Sequence, residues 1–117
     1  MRTTLLGMIV ALYPAIVCAH AIVVAASPGV NARIAPGPLN IRLQFNSRID
    51  LDRSRLTLSD PDGAERAVAI SHEEAAGVLA GVGRATIMGP WKVRWQVLSV
   101  DGHITRGEIA FSVGDGN

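Results

Sequence analysis

Two histidines and one aspartate have the types and positions that suit a metal ion. His20 follows an apolar segment typical of a cleavable secretory signal, so cleavage after Ala19 would place a free α-amine beside its own imidazole. Further along, Asp101-Gly102-His103 offers a carboxylate and a second imidazole. Residues two apart in an extended stretch point to the same face, so these two side chains can converge on one ion. We therefore predict a metal site built from His20, Asp101 and His103.

The donor set of this predicted site favours Cu(II), with one ion per chain. An amine and two imidazoles supply three nitrogens, and Cu(II) prefers tetragonal nitrogen and oxygen surroundings. The carboxylate of Asp101 would take a fourth or axial position, or accept a hydrogen bond from a ligand. Zinc accepts similar donors but prefers tetrahedral geometry. Cu(I) seeks sulfur, and after the predicted cleavage the chain has no cysteine and only Met88 as a thioether.

The Asp-Gly-His segment, and the remaining histidine and methionine of the expected domain, also have ordinary structural interpretations. Asp-Gly is a hairpin signal because glycine tolerates positive φ, so His103 could simply leave a turn. His72 lies between Ser71 and Glu73, where a solvated surface histidine is expected rather than a ligand. Met88 is expected to fill the core or a turn.

The predicted secretory signal covers residues 1–19. Arg2 supplies a positive start, residues 5–17 are almost wholly apolar, and Val17-Cys18-Ala19 fits the small-x-small cleavage pattern. The apolar run is shorter than the roughly 20 residues of a membrane-spanning helix. An uncleaved anchor and a lipid attachment at Cys18 fit this segment less well. We expect an exported single domain at residues 20–117.

The composition of the expected domain limits the classes of partner that it could bind. Cleavage removes Arg2 and leaves ten basic and ten acidic residues, so the formal charge is zero. The sequence has no basic cluster of the kind that binds nucleic acid, and no basic amphipathic helix that would lie on a membrane. Without cysteine, the exported domain must depend on its apolar core rather than on disulfides.

The apolar pattern predicts an all-β domain. Leu39, Ile41, Leu43 and Phe45 alternate with polar residues, and the same period of two recurs around Leu56 and Leu58, from Val93 to Val97, and from Ile109 to Val113. Turn signals such as Asp60-Pro61-Asp62-Gly63 separate these runs. Short strands at this spacing predict a small Greek-key β-sandwich or β-barrel. Only residues 72–79 have a locally helical pattern, which Gly77 weakens.

These residues resemble the CopC family of periplasmic copper-binding proteins. His20-Ala21 followed by Ser27-Pro28 is similar to the family's amino terminus. Residues 89–103 resemble its most specific segment, which has a Gly, an aromatic, a Val-x-Trp strand and then Ser-x-Asp-x-His. Gly107 and Phe111-Ser112-Val113 match the usual ending. The resemblance spans nearly the whole of residues 20–117.

The resemblance implies a Greek-key β-barrel of cupredoxin-like or immunoglobulin-like shape, located in the periplasm. It also implies a Cu(II) site made by His20, Asp101 and His103. Some members carry a loop rich in Met and His that holds Cu(I), whereas residues 56–70 here contain neither residue type. Trp91 stands where Tyr is commoner, and Trp95 is expected to fill the core.

Three functional hypotheses follow. The first is a copper carrier or buffer outside the cytoplasm, acting in copper homeostasis or resistance without catalysis. Its partners would be the copper ion and either a copper-importing inner-membrane protein or a cuproenzyme. The second is a copper-dependent oxidative enzyme with a histidine brace, similar to lytic polysaccharide monooxygenases, although the chain is short and its few aromatics fall on inward strand positions. The third is a metal-free structural β-sandwich.

Overall fold

The computed structural model describes residues 21–114 of the chain. The predicted signal at residues 1–19, and the predicted ligand His20, lie outside the described residues. The described part forms eight strands, in the order Val23–Ser27 (β1), Arg33–Ile34 (β2), Gly37–Phe45 (β3), Ile49–Ser59 (β4), Glu65–Ala67 (β5), Val78–Ala85 (β6), Gly89–Ser99 (β7) and Ile104–Val113 (β8).

The strands form two separate sheets. One sheet has three strands in the order β1-β3-β6, and the other has five in the order β2-β8-β7-β4-β5. Every pairing is antiparallel except that of β2 with β8. The chain crosses from one sheet to the other between β3 and β4, which fits the predicted Greek-key class. Because the two sheets share no strand, the fold is an open sandwich and not a closed barrel.

The hydrophobic core lies between the sheets, where the sequence alternation predicts it. Leu39, Ile41, Leu43 and Phe45 of β3 are all buried while their polar neighbours are exposed. Leu56 and Leu58 face them from β4, and Val93, Val97, Ile109, Phe111 and Val113 do so from β7 and β8. Burying alternate residues from both inner faces is how a sandwich of this size excludes water from its interior. The all-β prediction is confirmed.

The local helix expected at residues 72–79 is wrong. Residues 72–74 are bends, residues 76–77 form a turn, and residues 78–79 are already the start of β6. The carbonyl oxygen of Gly77 accepts a hydrogen bond from the Phe45 N–H at 2.8 Å, and Gly77 adopts a φ of 127°. A Cβ at Gly77 would lie 2.9 Å from the Ser47 carbonyl oxygen. Contact with the end of β3 therefore outweighs the weak local preference, since so short a helix gains little on its own.

Strand β6 has glycines where an isolated strand would not favour them. A Cβ at Gly81 would lie 2.7 Å from Val68 Cγ1 and 3.2 Å from Leu56 Cδ2. The glycine lets residues 68–70 cross close to the sheet, where Ile70 forms an isolated bridge with Gly81. Within residues 21–114, no helix is long and apolar enough to cross a membrane.

Candidate metal centre

The turn between β7 and β8 carries Asp101 and His103. Strand pairing ends at Leu98 opposite Ile104. Beyond that pair, the Ser99 N–H donates to the His103 carbonyl oxygen at 2.9 Å, and the Gly102 N–H donates to the Ser99 carbonyl oxygen at 2.9 Å. Gly102 has a φ of 93°, a conformation that side chains disfavour. The Asp-Gly pair thus makes a tight turn, as its type predicts, with Asp101 inside the turn and His103 directly after it.

Asp101 and His103 are in direct contact. Asp101 Oδ1 lies 3.2 Å from His103 Nδ1 and accepts a hydrogen bond from the His103 N–H at 3.2 Å. The Ser99 hydroxyl donates to the same oxygen. The side chains of His103 and Asp101 are 56% and 38% exposed, so both can be reached from solvent. The structure therefore brings together the carboxylate and the imidazole that the sequence predicts.

The pKa of Asp101 is lowered from its ordinary value. The main cause is the hydrogen bond from the Ser99 hydroxyl, which stabilises the ionised carboxylate. Partial loss of solvent acts in the opposite direction, and the side chain, N–H and charge of His103 lower the pKa further. Asp101 is therefore an anion at neutral pH, the state in which a carboxylate binds a metal ion.

The first described residues are fixed at the start of the sandwich. Ala21 is 1% exposed and belongs to the core. The Ile22 N–H donates to Asn46 Oδ1 at 2.9 Å, and the Asn46 N–H donates to the Ile22 carbonyl oxygen at 2.9 Å. Ala21 is therefore held by burial and Ile22 by two hydrogen bonds.

The same end of the sandwich carries the β7–β8 turn. Asn46 directly follows β3, and three residues later Ile49 begins β4 opposite Ser99. Ser99 in turn bonds to Asp101 and His103. One short loop therefore connects Asn46, which anchors Ile22, to the start of β4, and β4 pairs there with the end of β7.

The other candidate residues lie elsewhere. His72 Nε2 lies 3.2 Å from Asp52 Oδ1 on the exposed surface, in line with the expected surface role. Met88 is half exposed in the β6–β7 connection. Among residues 21–114 there is no group of three or more His, Cys, Asp or Glu side chains that could hold a metal ion. The described residues thus include two of the three predicted ligand residues, Asp101 and His103.

Trp95 fills the edge of the core, as expected. It is partly buried against the core cluster, and its ring meets that of Phe45 edge to face at 6.3 Å between centroids. Its indole also covers Gly107 on the neighbouring strand, where a Cβ would lie 2.7 Å from Trp95 Cη2. The close approach explains why a residue without a side chain occupies this position of β8.

Sequence reasoning assigned no role to two residues that organise this end of the molecule. Ser99 contacts both candidate ligands, and Asn46 anchors Ile22. The period of two gives a signal for the first, because Ser99, Asp101 and His103 are spaced two apart. No sequence signal identifies Asn46, since its partner is 24 residues away in the chain.

The fold and the site together define a small all-β domain, an open β-sandwich with an exposed Asp-His pair on a hairpin at one end. Within that class of domain the chain belongs to the CopC family, whose CopC domain model matches residues 23–114. It is 28% identical over 104 residues to Protein YobA of Escherichia coli K12, covering 83% of this chain and 81% of that protein. It is also 28% identical over 119 residues to Copper resistance protein C of Xanthomonas campestris pv. juglandis, covering 95% and 93%.

Solved structures show the same fold. CopC from Methylosinus trichosporium OB3b superposes with a TM-score of 0.72 at 26% identity, covering 84% of this chain and 97% of that chain. PcoC from Escherichia coli, described as a methionine-rich copper resistance protein, gives a TM-score of 0.64 at 22% identity, covering 82% and 100%. The second likeness concerns the fold alone.

Proposed function

We propose that this chain is an exported Cu(II)-binding protein that carries or buffers copper in the periplasm. The ion, one per chain, is bound by His20, Asp101 and His103. The observation that carries the proposal is the Asp101–His103 pair, held on an exposed hairpin at the end of the sandwich where the described chain begins. The copper resistance named for the Xanthomonas relative supports copper as the cargo.

The described donors suit a divalent ion of this kind. Asp101 Oδ1 and His103 Nδ1 lie 3.2 Å apart, close enough for both side chains to bind one ion. The α-amine and imidazole of His20 would complete a donor set of three nitrogens and one oxygen. Cu(II) binds such a set more tightly than the other divalent ions of its row.

The scarcity of sulfur in the described residues bears on the oxidation state of the bound copper. PcoC is described as methionine rich, whereas this chain has three methionines, of which Met88 alone lies in the described part. Met88 sits in the β6–β7 connection and not on the β7–β8 turn. Since Cu(I) prefers thioether and thiolate sulfur, the described residues favour Cu(II).

A carrier fits the described surface better than an oxidative enzyme. Enzymes that act on polysaccharide use exposed aromatic rings to hold the chain of sugars. Here Phe45, Trp91 and Phe111 are buried, and Trp95 is half buried against the core. A carboxylate ligand would also occupy a coordination position that oxygen needs. The recipient of the copper would be a copper-importing inner-membrane protein or a cuproenzyme.

The test is a competition titration of the secreted, processed protein with Cu(II) against a chromophoric chelator, repeated with Zn(II). We expect one Cu(II) per chain, bound much more tightly than Zn(II). Reaction of the loaded protein with a reductant and peroxide should give no sustained turnover. Weak binding without fixed stoichiometry would overturn the proposal.

A further inference from the structure

The side chain of Ser99 is a buried polar group directly beneath the candidate ligands. Ser99 is 3% exposed at the last position of β7. Its hydroxyl contacts Asp101 Oδ1 and lies 3.1 Å from the His103 carbonyl oxygen. A buried hydroxyl is costly unless it is hydrogen bonded, so its two contacts account for its place in the core.

The hydroxyl has one hydrogen and two acceptors within reach, and the chemistry decides between them. The His103 carbonyl oxygen already accepts the Ser99 N–H at 2.9 Å. The carboxylate is charged, and hydrogen bonds to ionised acceptors are about twice as strong as neutral ones. The hydrogen therefore goes to Asp101.

Three groups meet at one oxygen of Asp101. These are the Ser99 hydroxyl, the His103 N–H at 3.2 Å and His103 Nδ1 at 3.2 Å. These contacts hold Oδ1 of the carboxylate against the protein. The position of Oδ1 is therefore fixed without a metal ion.

Ser99 is itself held by the rigid part of the fold. It pairs with Ile49 of β4, and its N–H and carbonyl oxygen both bond within the turn. The alignment of Asp101 is therefore tied to the five-stranded sheet rather than to the exposed loop. Sites supported by strands are held more exactly than sites supported by loops alone.

We infer that Ser99 is a positioning residue that fixes the Asp101 carboxylate for metal binding by donating its hydroxyl hydrogen to Oδ1. The inference rests on the proposed Cu(II) site and adds a residue that touches no metal. Groups that orient metal ligands in this way change metal affinity by about 10–100-fold when they are removed.

The experiment compares Ser99→Ala with Ser54→Ala. Ser54 is the matched control because it is also a buried serine, 8% exposed, whose hydroxyl donates to the Asp50 carbonyl oxygen at 2.7 Å and not to Asp101. A second pair of variants, Ser99→Thr and Ser99→Val, places side chains of nearly the same shape that differ in having or lacking the hydroxyl. This pair replaces the first comparison if Ser99→Ala does not fold. The readouts are Cu(II) affinity, the electron paramagnetic resonance spectrum and, without metal, amide hydrogen exchange at His103.

We expect Ser99→Ala and Ser99→Val to lose about 10–100-fold in Cu(II) affinity, to change the spectrum and to speed exchange of the His103 amide. Ser99→Thr and Ser54→Ala should retain wild-type spectra and exchange. Equal affinity, spectrum and exchange in Ser99→Ala and wild type would overturn the inference while leaving the copper site in place. If wild type binds no Cu(II), the proposed function fails; unchanged exchange in Ser99→Ala would then refute the positioning role as well.

Discussion

Asn46 holds Ile22 through two hydrogen bonds, one from its side chain and one from its backbone, each 2.9 Å long. The pair ties the first described residues to the end of β3, and the following loop leads to Ile49 opposite Ser99. Ala21 and Ile22 are thereby held at the end of the sandwich that carries the β7–β8 turn. A site that uses the amine of residue 20 would need the following backbone to be held in place, and the Asn46–Ile22 pair holds it at Ile22.

Replacing Asn46 tests that relationship. Asn46→Ala removes the acceptor of the Ile22 N–H, so we expect a loss of about 1 kcal/mol in the free energy of unfolding. We also expect Cu(II) affinity to fall about tenfold, because a proposed donor is less well placed. Calorimetry and competition titration measure the two effects. Asn40→Ala, on the exposed side of β3, is the control, and equal Cu(II) affinity in both variants would contradict the anchoring role.

The two described histidines provide a direct comparison. Both are exposed, and both lie 3.2 Å from an aspartate oxygen. We expect His103→Ala to lower Cu(II) affinity by at least about 100-fold, whereas His72→Ala leaves it unchanged, since only the former removes a proposed ligand. Both variants should unfold within about 0.5 kcal/mol of wild type, because exposed side chains contribute little to stability. A similar loss of affinity in both would point to nonspecific histidine binding.

The loss of stability at acidic pH tests the hydrogen bonding of Asp101 without any metal. The pKa of Asp101 is lower in the folded protein than its ordinary value, mainly because of the Ser99 hydroxyl. Its ionised form therefore stabilises the fold above the unfolded pKa of about 3.9, and this contribution disappears as pH falls through the lower, folded value. We expect Asp101→Asn to be less stable than wild type at pH 7, with the difference vanishing at the acidic end. Denaturant melts in chelator from pH 7 to pH 2 check this, and a difference that grows on acidification would contradict it.

Gly107 tests the packing behind the hairpin. In Gly107→Ala the new Cβ would meet the Trp95 indole, 2.7 Å from Cη2, so the ring must shift. We expect a destabilisation of about 1–3 kcal/mol and a change in tryptophan fluorescence. Gly29→Ala is the control, because a Cβ there would lie 3.9 Å from the Ala26 carbonyl oxygen, an ordinary contact. Equal stability of the two variants would mean that Trp95 does not constrain this position.

The alternation of apolar and polar residues is enough to predict most of the fold from the sequence. The inward residues of β3, β7 and β8 could be identified from period two alone, since one buried face leaves that pattern wherever the other face is polar. The pattern fails for β6, where Gly81 and Gly83 weaken the strand signal. The reason for those glycines is the close approach of Val68 and Leu58, which no local pattern contains.

Part of the candidate site can likewise be predicted from the sequence, and part depends on long-range contacts. Asp101 and His103 follow from residue type and a spacing of two, and the structure places them in contact. The anchoring of Ile22 by Asn46 depends on a long-range pairing that the sequence cannot specify. The role of His20 is still a prediction, because it depends on where the signal is cleaved and lies outside the described residues.

The measurement that bears most directly on the central claim compares two amino termini. One protein is secreted and processed so that His20 comes first, and the other carries one extra residue ahead of His20. Both are titrated with Cu(II) and followed by electron paramagnetic resonance. The terminal chelate predicts one tight tetragonal site in the first protein and a weaker, altered site in the second. Identical affinity and spectra in both would contradict a site built on the terminal amine.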